Sequence, residues 1–238
     1  MILITRPKEQ SKNLETVLNL KGYKTYLESL YKIKYLKKKV FYNKNNHYIF
    51  PSIHSVQSLI NSKQIKNFRE ANILAIGKKV KQKLINAGCK KIIATFNNSD
   101  ALIDKIKKNK STNCSFVYLC SNIINKDFLK QTDRYQIKFQ KKIIYKTIPV
   151  SKFQKKIIKD LKLGNISGAT FLSKLASDTF LRLSSRHNCL SASKNINIYC
   201  ISQRVAAPFI QKRFSSVYIA RKPNEDALIQ SIKKRHFK

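Results

Sequence analysis

The sequence predicts an α/β fold of mostly parallel sheets flanked by helices, on three observations. Short apolar, β-branched runs alternate with amphipathic stretches of helical period, the pattern of parallel strands joined by crossover helices. The series of runs occurs twice in the same order, so two similar modules are expected. The chain has 238 residues, 42% of them hydrophobic and 10% aromatic, enough for one large core or two small ones.

The elements follow in order. Ile2-Leu3-Ile4-Thr5 reads as a buried strand, closed by Arg6-Pro7 before a helix whose Leu14, Val17 and Leu18 share a face. Gly22 stands where a helix C-cap is expected, and residues 24–30 read as a second strand leading into Leu30-Tyr31-Lys32-Ile33. His47-Tyr48-Ile49-Phe50 is a strand before a helix over 52–60. A strand at 73–76 precedes a helix over 78–86 that Gly88 ends. Ile92-Ile93-Ala94 is a further strand, and Ser99 is the expected cap of a helix over 100–107.

The second half repeats this order. Ile76-Gly77-Lys78-Lys79-Val80, Ile92-Ile93-Ala94 and Asp100-Ala101-Leu102-Ile103 recur as Ile201-Ser202-Gln203-Arg204-Val205, Val217-Tyr218-Ile219-Ala220 and Asp226-Ala227-Leu228-Ile229. Phe50-Pro51-Ser52 is echoed by Phe171-Leu172-Ser173, residues 2–5 by 116–119, and Leu30-Tyr31-Lys32 by Ile144-Tyr145-Lys146. The chain therefore reads as a divergent duplication, residues 1–110 and 114–238. Open parallel sheets present ligand-binding turns at their strand carboxyl ends, so an active cleft between the modules is expected, with inward helix amino termini suited to an anionic ligand.

Composition narrows the function classes. Lys and Arg number 49 against 12 Asp and Glu, a formal charge of +37 that attracts any polyanion. The lysines are scattered, with short runs at 37–39, 78–79, 90–91 and 233–238, and the Lys-, Asn- and Ile-rich composition is one that AT-biased codons generate without selection for a partner. Five cysteines, Cys89, Cys114, Cys120, Cys189 and Cys200, lack C-x-x-C spacing, so reduced and mostly buried thiols are expected rather than disulfides or zinc ligands. His47, His54, His187 and His236 lack metal-ligand spacing, and five glycines provide neither G-x-G-x-x-G nor a Walker loop. No apolar run is long enough for a signal peptide or a membrane span, so a cytoplasmic protein is expected.

Several motifs resemble the uroporphyrinogen-III synthase family. They are the opening Ile2-Leu3-Ile4-Thr5-Arg6-Pro7 with Gln10 and Leu14, the turn Phe50-Pro51-Ser52-Ile53-His54-Ser55-Val56, and Ala75-Ile76-Gly77 opening a helix. Ile144-Tyr145-Lys146-Thr147, Phe171-Leu172-Ser173, and Cys200-Ile201-Ser202 through Ala220, Pro223 and Ala227-Leu228 follow in the family's order over nearly the whole chain. The resemblance implies two α/β domains joined by a two-stranded linker: residues 1–35 with 150–238, and residues 40–145, with linkers near 36–39 and 146–149. It also implies hydroxymethylbilane, a linear tetrapyrrole with eight carboxylates, as substrate. Loss of its terminal hydroxyl leaves an azafulvenium cation, which the last ring attacks to give a spiro intermediate. Fragmentation and reclosure then invert that ring. Positioning and proton transfer dominate such chemistry, and no cofactor or metal is expected.

Tyr145 matches the tyrosine of the family's mid-chain motif and is the candidate acid at the leaving hydroxyl; the plainer alternative is an aromatic packed in the hinge. Ser52 and Ser173, in equivalent turns, are candidate carboxylate binders or simple helix caps. Lys78, Lys79, Ser202, Gln203 and Arg204 open paired helices and could supply further donors or be plain surface. Arg6 faces the cleft or pairs within its own domain. Lys78, Lys79 and Val80, then Gln203, Arg204 and Val205, stand where the family commonly has threonines, and Pro51 replaces another, so no role passes from those threonines to this chain. A monomer is expected, with transient contact with hydroxymethylbilane synthase as the protein partner and neither specific nucleic acid nor membrane. The alternatives from other classes are a basic nucleic-acid-binding protein and a non-catalytic paralogue of the synthase.

Overall fold

The computed structural model describes residues 1–108, 115–124 and 126–236. The chain opens with β1 (Ile2–Ile4), α1 (Lys8–Leu20), β2 (Thr25–Leu27) and β3 (Tyr31–Tyr35). Next come β4 (Asn46–Phe50), α2 (Ile53–Asn61), a 3-10 turn at Gln64–Phe68, β5 (Asn72–Ile76), α3 (Lys78–Asn86), β6 (Ile92–Phe96) and α4 (Ser99–Lys108). β7 (Ser115–Ser121), α5 (Lys126–Arg134), β8 (Phe139–Pro149) and α6 (Lys155–Lys162) follow. The last third holds β9 (Gly168–Phe171), α7 (Lys174–Arg186), α8 (Leu190–Lys194), β10 (Asn197–Cys200), α9 (Gln203–Gln211), β11 (Val217–Ile219) and α10 (Glu225–His236). The predicted α/β architecture is the one observed.

Two compact units divide these elements: Met1–Lys32 with Ile148–Lys238 is unit 1, and Ile33–Thr147 is unit 2. The sheet of unit 1 has the order β11-β10-β9-β1-β2, with every neighbour parallel. Strand β1 lies inside it, Leu3 pairing with Tyr26 on one side and Ala169 on the other. A central parallel strand is covered on both faces, which is why Ile2, Leu3 and Ile4 are apolar without alternation and all buried. Ile2, Ile4, Leu14, Leu18, Leu228 and Ile232 form the core on one side of this sheet. Phe171, Phe180 and Phe209 form a second cluster, with ring centroids 4.6 to 6.1 Å apart.

The second sheet runs β3-β8-β7-β4-β5-β6, and from β8 to β6 its neighbours are parallel. Strand β3 is antiparallel to β8: the Leu36 N–H donates to the Ile144 carbonyl, and the Val150 N–H to that of Leu30. Tyr48 and Phe50 face one core with Val56, Leu59 and Phe68, whereas Ile49 faces another with Leu74, Leu102 and Phe128.

Strand order β6-β5-β4-β7-β8 in unit 2 matches β11-β10-β9-β1-β2 in unit 1. The duplication is thus visible in three dimensions, but the sequence halves and the folded units differ. Each unit takes its three-strand segment from one half and its two-strand segment from the other.

Several element boundaries shift by one to three residues from expectation, and two of these shifts change a reading. The second strand is only Thr25–Leu27, with Glu28 already beyond it. The cap of α4 is Asn98, whose Oδ1 accepts the Ala101 N–H at 2.9 Å, rather than Ser99, which is the helix's first residue.

Candidate functional site

In unit 2 the carboxyl end of β4 turns through Pro51 into Ser52, whose backbone is extended and whose Oγ accepts the His54 N–H at 3.1 Å. The alternative reading of Ser52 as a helix cap is therefore met, and it leaves the hydroxyl proton unspent by the cap. Helix α3 starts after Gly77, where φ is 98°, a conformation that disfavours any side chain at that turn. Lys78 and Lys79 then open α3 exposed, while Val80 turns into the core.

Tyr145, on β8, is 6% exposed, with the Ser52 side chain among its neighbours. Its ring lies 5.7 Å from that of His54, whose Nδ1 is 3.0 Å from the Tyr35 hydroxyl. Burial pushes the Tyr145 phenol up to about 12, against the smaller opposing effect of Ser52. A neutral phenol can donate a hydrogen bond or a proton, as the sequence assignment requires.

In unit 1 the turn after β1 carries Arg6. Its Nη1 donates to Glu225 Oε2 at 3.0 Å and its Nη2 to Gln10 Oε1 at 3.2 Å. The ion-pair alternative for Arg6 is met. Asn13 Nδ2 donates to the other Glu225 oxygen at 2.6 Å, so the carboxylate is held on both sides. Ser173 caps α7, its Oγ accepting the Ala176 N–H at 3.2 Å. Arg6 and Ser173 both lie near the side chain of Tyr31, which is 9% exposed. Burial raises the Tyr31 phenol and the Arg6 charge opposes this. Ser202 precedes α9 with no capping bond from its hydroxyl, and Gln203 and Arg204 open that helix exposed.

The structure therefore brings Ser52 near Tyr145, and Arg6 and Ser173 near Tyr31. It leaves Lys78, Lys79, Gln203 and Arg204 at helix starts on the surface. Tyr31 is not a candidate by motif; the echo of Leu30-Tyr31-Lys32 in Ile144-Tyr145-Lys146 is the sequence signal for it.

The helix starts differ electrostatically. Helices α2, α3, α7 and α9 carry no acid in their first turns, whereas α1 has Glu9, α4 has Asp100 and α10 has Glu225 and Asp226. The first set follows β4, β5, β9 and β10, so no first-turn carboxylate offsets the partial positive charge there; α6 and α8 likewise start without an acid.

Cys89, Cys120, Cys189 and Cys200 are buried free thiols, Cys200 being pushed up to about 12 by burial. Cys114 lies outside the described residues, as do residues 237 and 238 of the basic tail. Among the described residues no His, Cys, Asp and Glu group is arranged to hold a metal ion, and no helix is long and apolar enough to cross a membrane.

A family model described as uroporphyrinogen-III synthase HemD matches residues 12–230, which takes in most of both units. Among solved structures, a uroporphyrinogen-III synthetase from Helicobacter pylori is similar at TM-score 0.67 and 17% identity, with 98% of each chain covered. A mutant uroporphyrinogen III synthase from the extremely thermophilic bacterium Thermus thermophilus is similar at TM-score 0.61 and 10% identity, again with 98% of each chain covered. At these identities the two structures speak for the fold. Among curated proteins none matches the chain.

Proposed function

The chain belongs to the uroporphyrinogen-III synthase family, and we infer that it is the cyclising lyase of tetrapyrrole biosynthesis, closing hydroxymethylbilane to uroporphyrinogen III with loss of water and inversion of the last ring. The observation that carries this reading is the family match across residues 12–230. The side-chain chemistry supports it independently: acid-free helix starts at strand carboxyl ends suit a polycarboxylate, and a buried neutral phenol suits departure of a hydroxyl.

We propose the following division of work. Tyr145, kept protonated by burial and oriented by Ser52, donates to the leaving hydroxyl of the substrate. Water departs and the azafulvenium cation forms. Pyrrole electrons then make and break the carbon–carbon bonds, so the protein's part is to hold the chain in the folded geometry that reaches the spiro intermediate. Ser52, Ser173, Ser202 and the first-turn backbone N–H groups of α2, α3, α7 and α9 receive acetate and propionate carboxylates. Lys78, Lys79, Gln203 and Arg204, exposed beside those starts, add charge and donors. Arg6 acts from its pairing with Glu225. The protein works as a cytoplasmic monomer that collects its substrate in transient contact with hydroxymethylbilane synthase.

The deciding experiment couples the protein to porphobilinogen and hydroxymethylbilane synthase and resolves the product isomers. The expected product is type III. Type I alone, the spontaneous product, would mark a non-catalytic paralogue or a binder of other polyanions, nucleic acid included.

A further inference from the structure

The loop that leads into β4 carries Lys37-Lys38-Lys39-Val40-Phe41-Tyr42-Asn43-Lys44, four lysines and no acid. Its neighbours fix its course. Val40 is buried in the core with Tyr48 and Phe68. The Val40 N–H donates to Gln64 Oε1 at 2.7 Å, and Gln64 Nε2 donates to the Lys38 carbonyl at 2.9 Å. The Tyr48 hydroxyl accepts the Asn43 N–H at 2.7 Å and donates to the Phe41 carbonyl at 3.3 Å. Between these anchors Phe41 is left 74% exposed, with the Lys39 ammonium 5.1 Å from its ring centre. Lys37, Lys38, Lys39 and Lys44 are exposed, and among the described residues none of them has an ion pair.

An exposed apolar side chain alone carries no meaning. Phe41 differs in being an aromatic ring with an ammonium on its face, held by a fixed loop that is otherwise cationic. Such a tip calls for an anionic surface with an apolar layer beneath it. A single-stranded nucleic acid stacks successive bases on several rings, but Tyr42, the other aromatic of the loop, packs its ring against Tyr48 and Phe68, both centroids at 6.0 Å. A specific protein partner needs about 800 Å² of buried surface on each side, and one phenylalanine among lysines supplies little of its apolar core. A bilayer boundary requires only an aromatic anchor and a few cations.

We propose that this loop docks the protein reversibly on an anionic lipid surface, with Phe41 entering the headgroup boundary and Lys37, Lys38, Lys39 and Lys44 pairing with lipid phosphates. No described helix is long and apolar enough to cross a membrane, and docking of this kind needs none. The loop enters β4 at its amino end, whereas Ser52 and α2 follow the carboxyl end, so the docked loop leaves that turn free. The proposal is independent of the synthase reading.

The chain has no tryptophan, so Phe41→Trp and, as a control, Leu20→Trp each carry a single indole. Leu20 ends α1 and is also exposed. Each variant is mixed separately with vesicles of phosphatidylglycerol and phosphatidylcholine in equal parts, with phosphatidylcholine vesicles, with polyuridylate and with hydroxymethylbilane synthase. The emission of Phe41→Trp is expected to move to shorter wavelength with the anionic vesicles alone, and that of Leu20→Trp to stay in place. In vesicle sedimentation Phe41→Ser should bind about tenfold more weakly than the wild type, and the combined Lys37→Gln, Lys38→Gln and Lys39→Gln variant about a hundredfold more weakly. Equal shifts at both indoles mean adsorption through the overall charge and overturn the proposal. So does a shift with polyuridylate or with hydroxymethylbilane synthase but not with vesicles, or vesicle binding by Phe41→Ser within about twofold of the wild type. The isomer formed by the wild type is read separately, so either result stands without the other.

Discussion

Tyr145 and Glu28 are both buried acids, and burial favours the protonated form of each, with different consequences. For Tyr145 protonation is the working state. Tyr145→Phe is expected to lower kcat about a hundredfold, the usual scale for a positioned acid, with little change in stability. Retained turnover in a stable variant would remove the role. Glu28 is 3% exposed; its Oε1 accepts the Gln154 N–H at 3.1 Å, and its Oε2 has no partner. Burial raises its pKa from the ordinary value of 4.5, with the bonds to Gln154 opposing. The folded state therefore binds the proton more tightly than the unfolded state. The contribution is fully present below 4.5 and is lost as pH rises through the raised value. Glu28→Gln removes this titration, so its melting temperature should gain on that of the wild type as pH rises above 4.5 through the raised value. A constant difference across that range would show that Glu28 does not titrate there.

Among the elements, the helices α4 and α10 show best what the sequence made legible. Their repeated Asp-Ala-Leu-Ile stretch was readable, yet the cap of α4 was assigned to Ser99 because serine and asparagine are both good N-caps and stand side by side. Aligning the repeats one residue further back decides it: Asn98 and Asn224 are equivalent, and Asn224 Oδ1 accepts the Ala227 N–H at 2.9 Å as Asn98 does that of Ala101. Asn98→Ala and Asn224→Ala should each cost about 1 kcal/mol, with faster amide exchange confined to the first turn of the altered helix. The central strands were legible because double-sided burial demands unbroken apolar runs. Helix α8 spans five residues, too few to display a period, and α6 buries only Ile157, Asp160 and Leu161 among lysines, so neither was assigned. At the site, Tyr145 and Ser52 could be singled out from one motif each. The fate of Arg6 could not, since its partner Glu225 lies 219 residues away.

Over the whole molecule, the charge of +37 faces a substrate with eight carboxylates. Raising salt from about 0.1 M to about 1 M shortens the screening length from about 10 Å to about 3 Å, so KM should climb while kcat stays level. A salt-independent KM would mean that the scattered lysines play no part in capture. The exchange of segments between sequence halves and folded units bears on a different matter, the order in which a ribosome delivers them. Unit 2 is one uninterrupted stretch, finished once residue 147 has been made. Unit 1 cannot close until β9 arrives beside β1, and the bond from Thr5 Oγ1 to the Thr170 carbonyl spans 165 residues. At translation rates of about 5–20 residues per second, β1 waits roughly 8–33 seconds for the strand that completes it. Throughout that interval Ile2, Leu3 and Ile4, all destined for burial, lack one flanking strand. A segment made well before its partner strand is thus sheltered late, and it is there that a nascent chain of this architecture has most need of a chaperone.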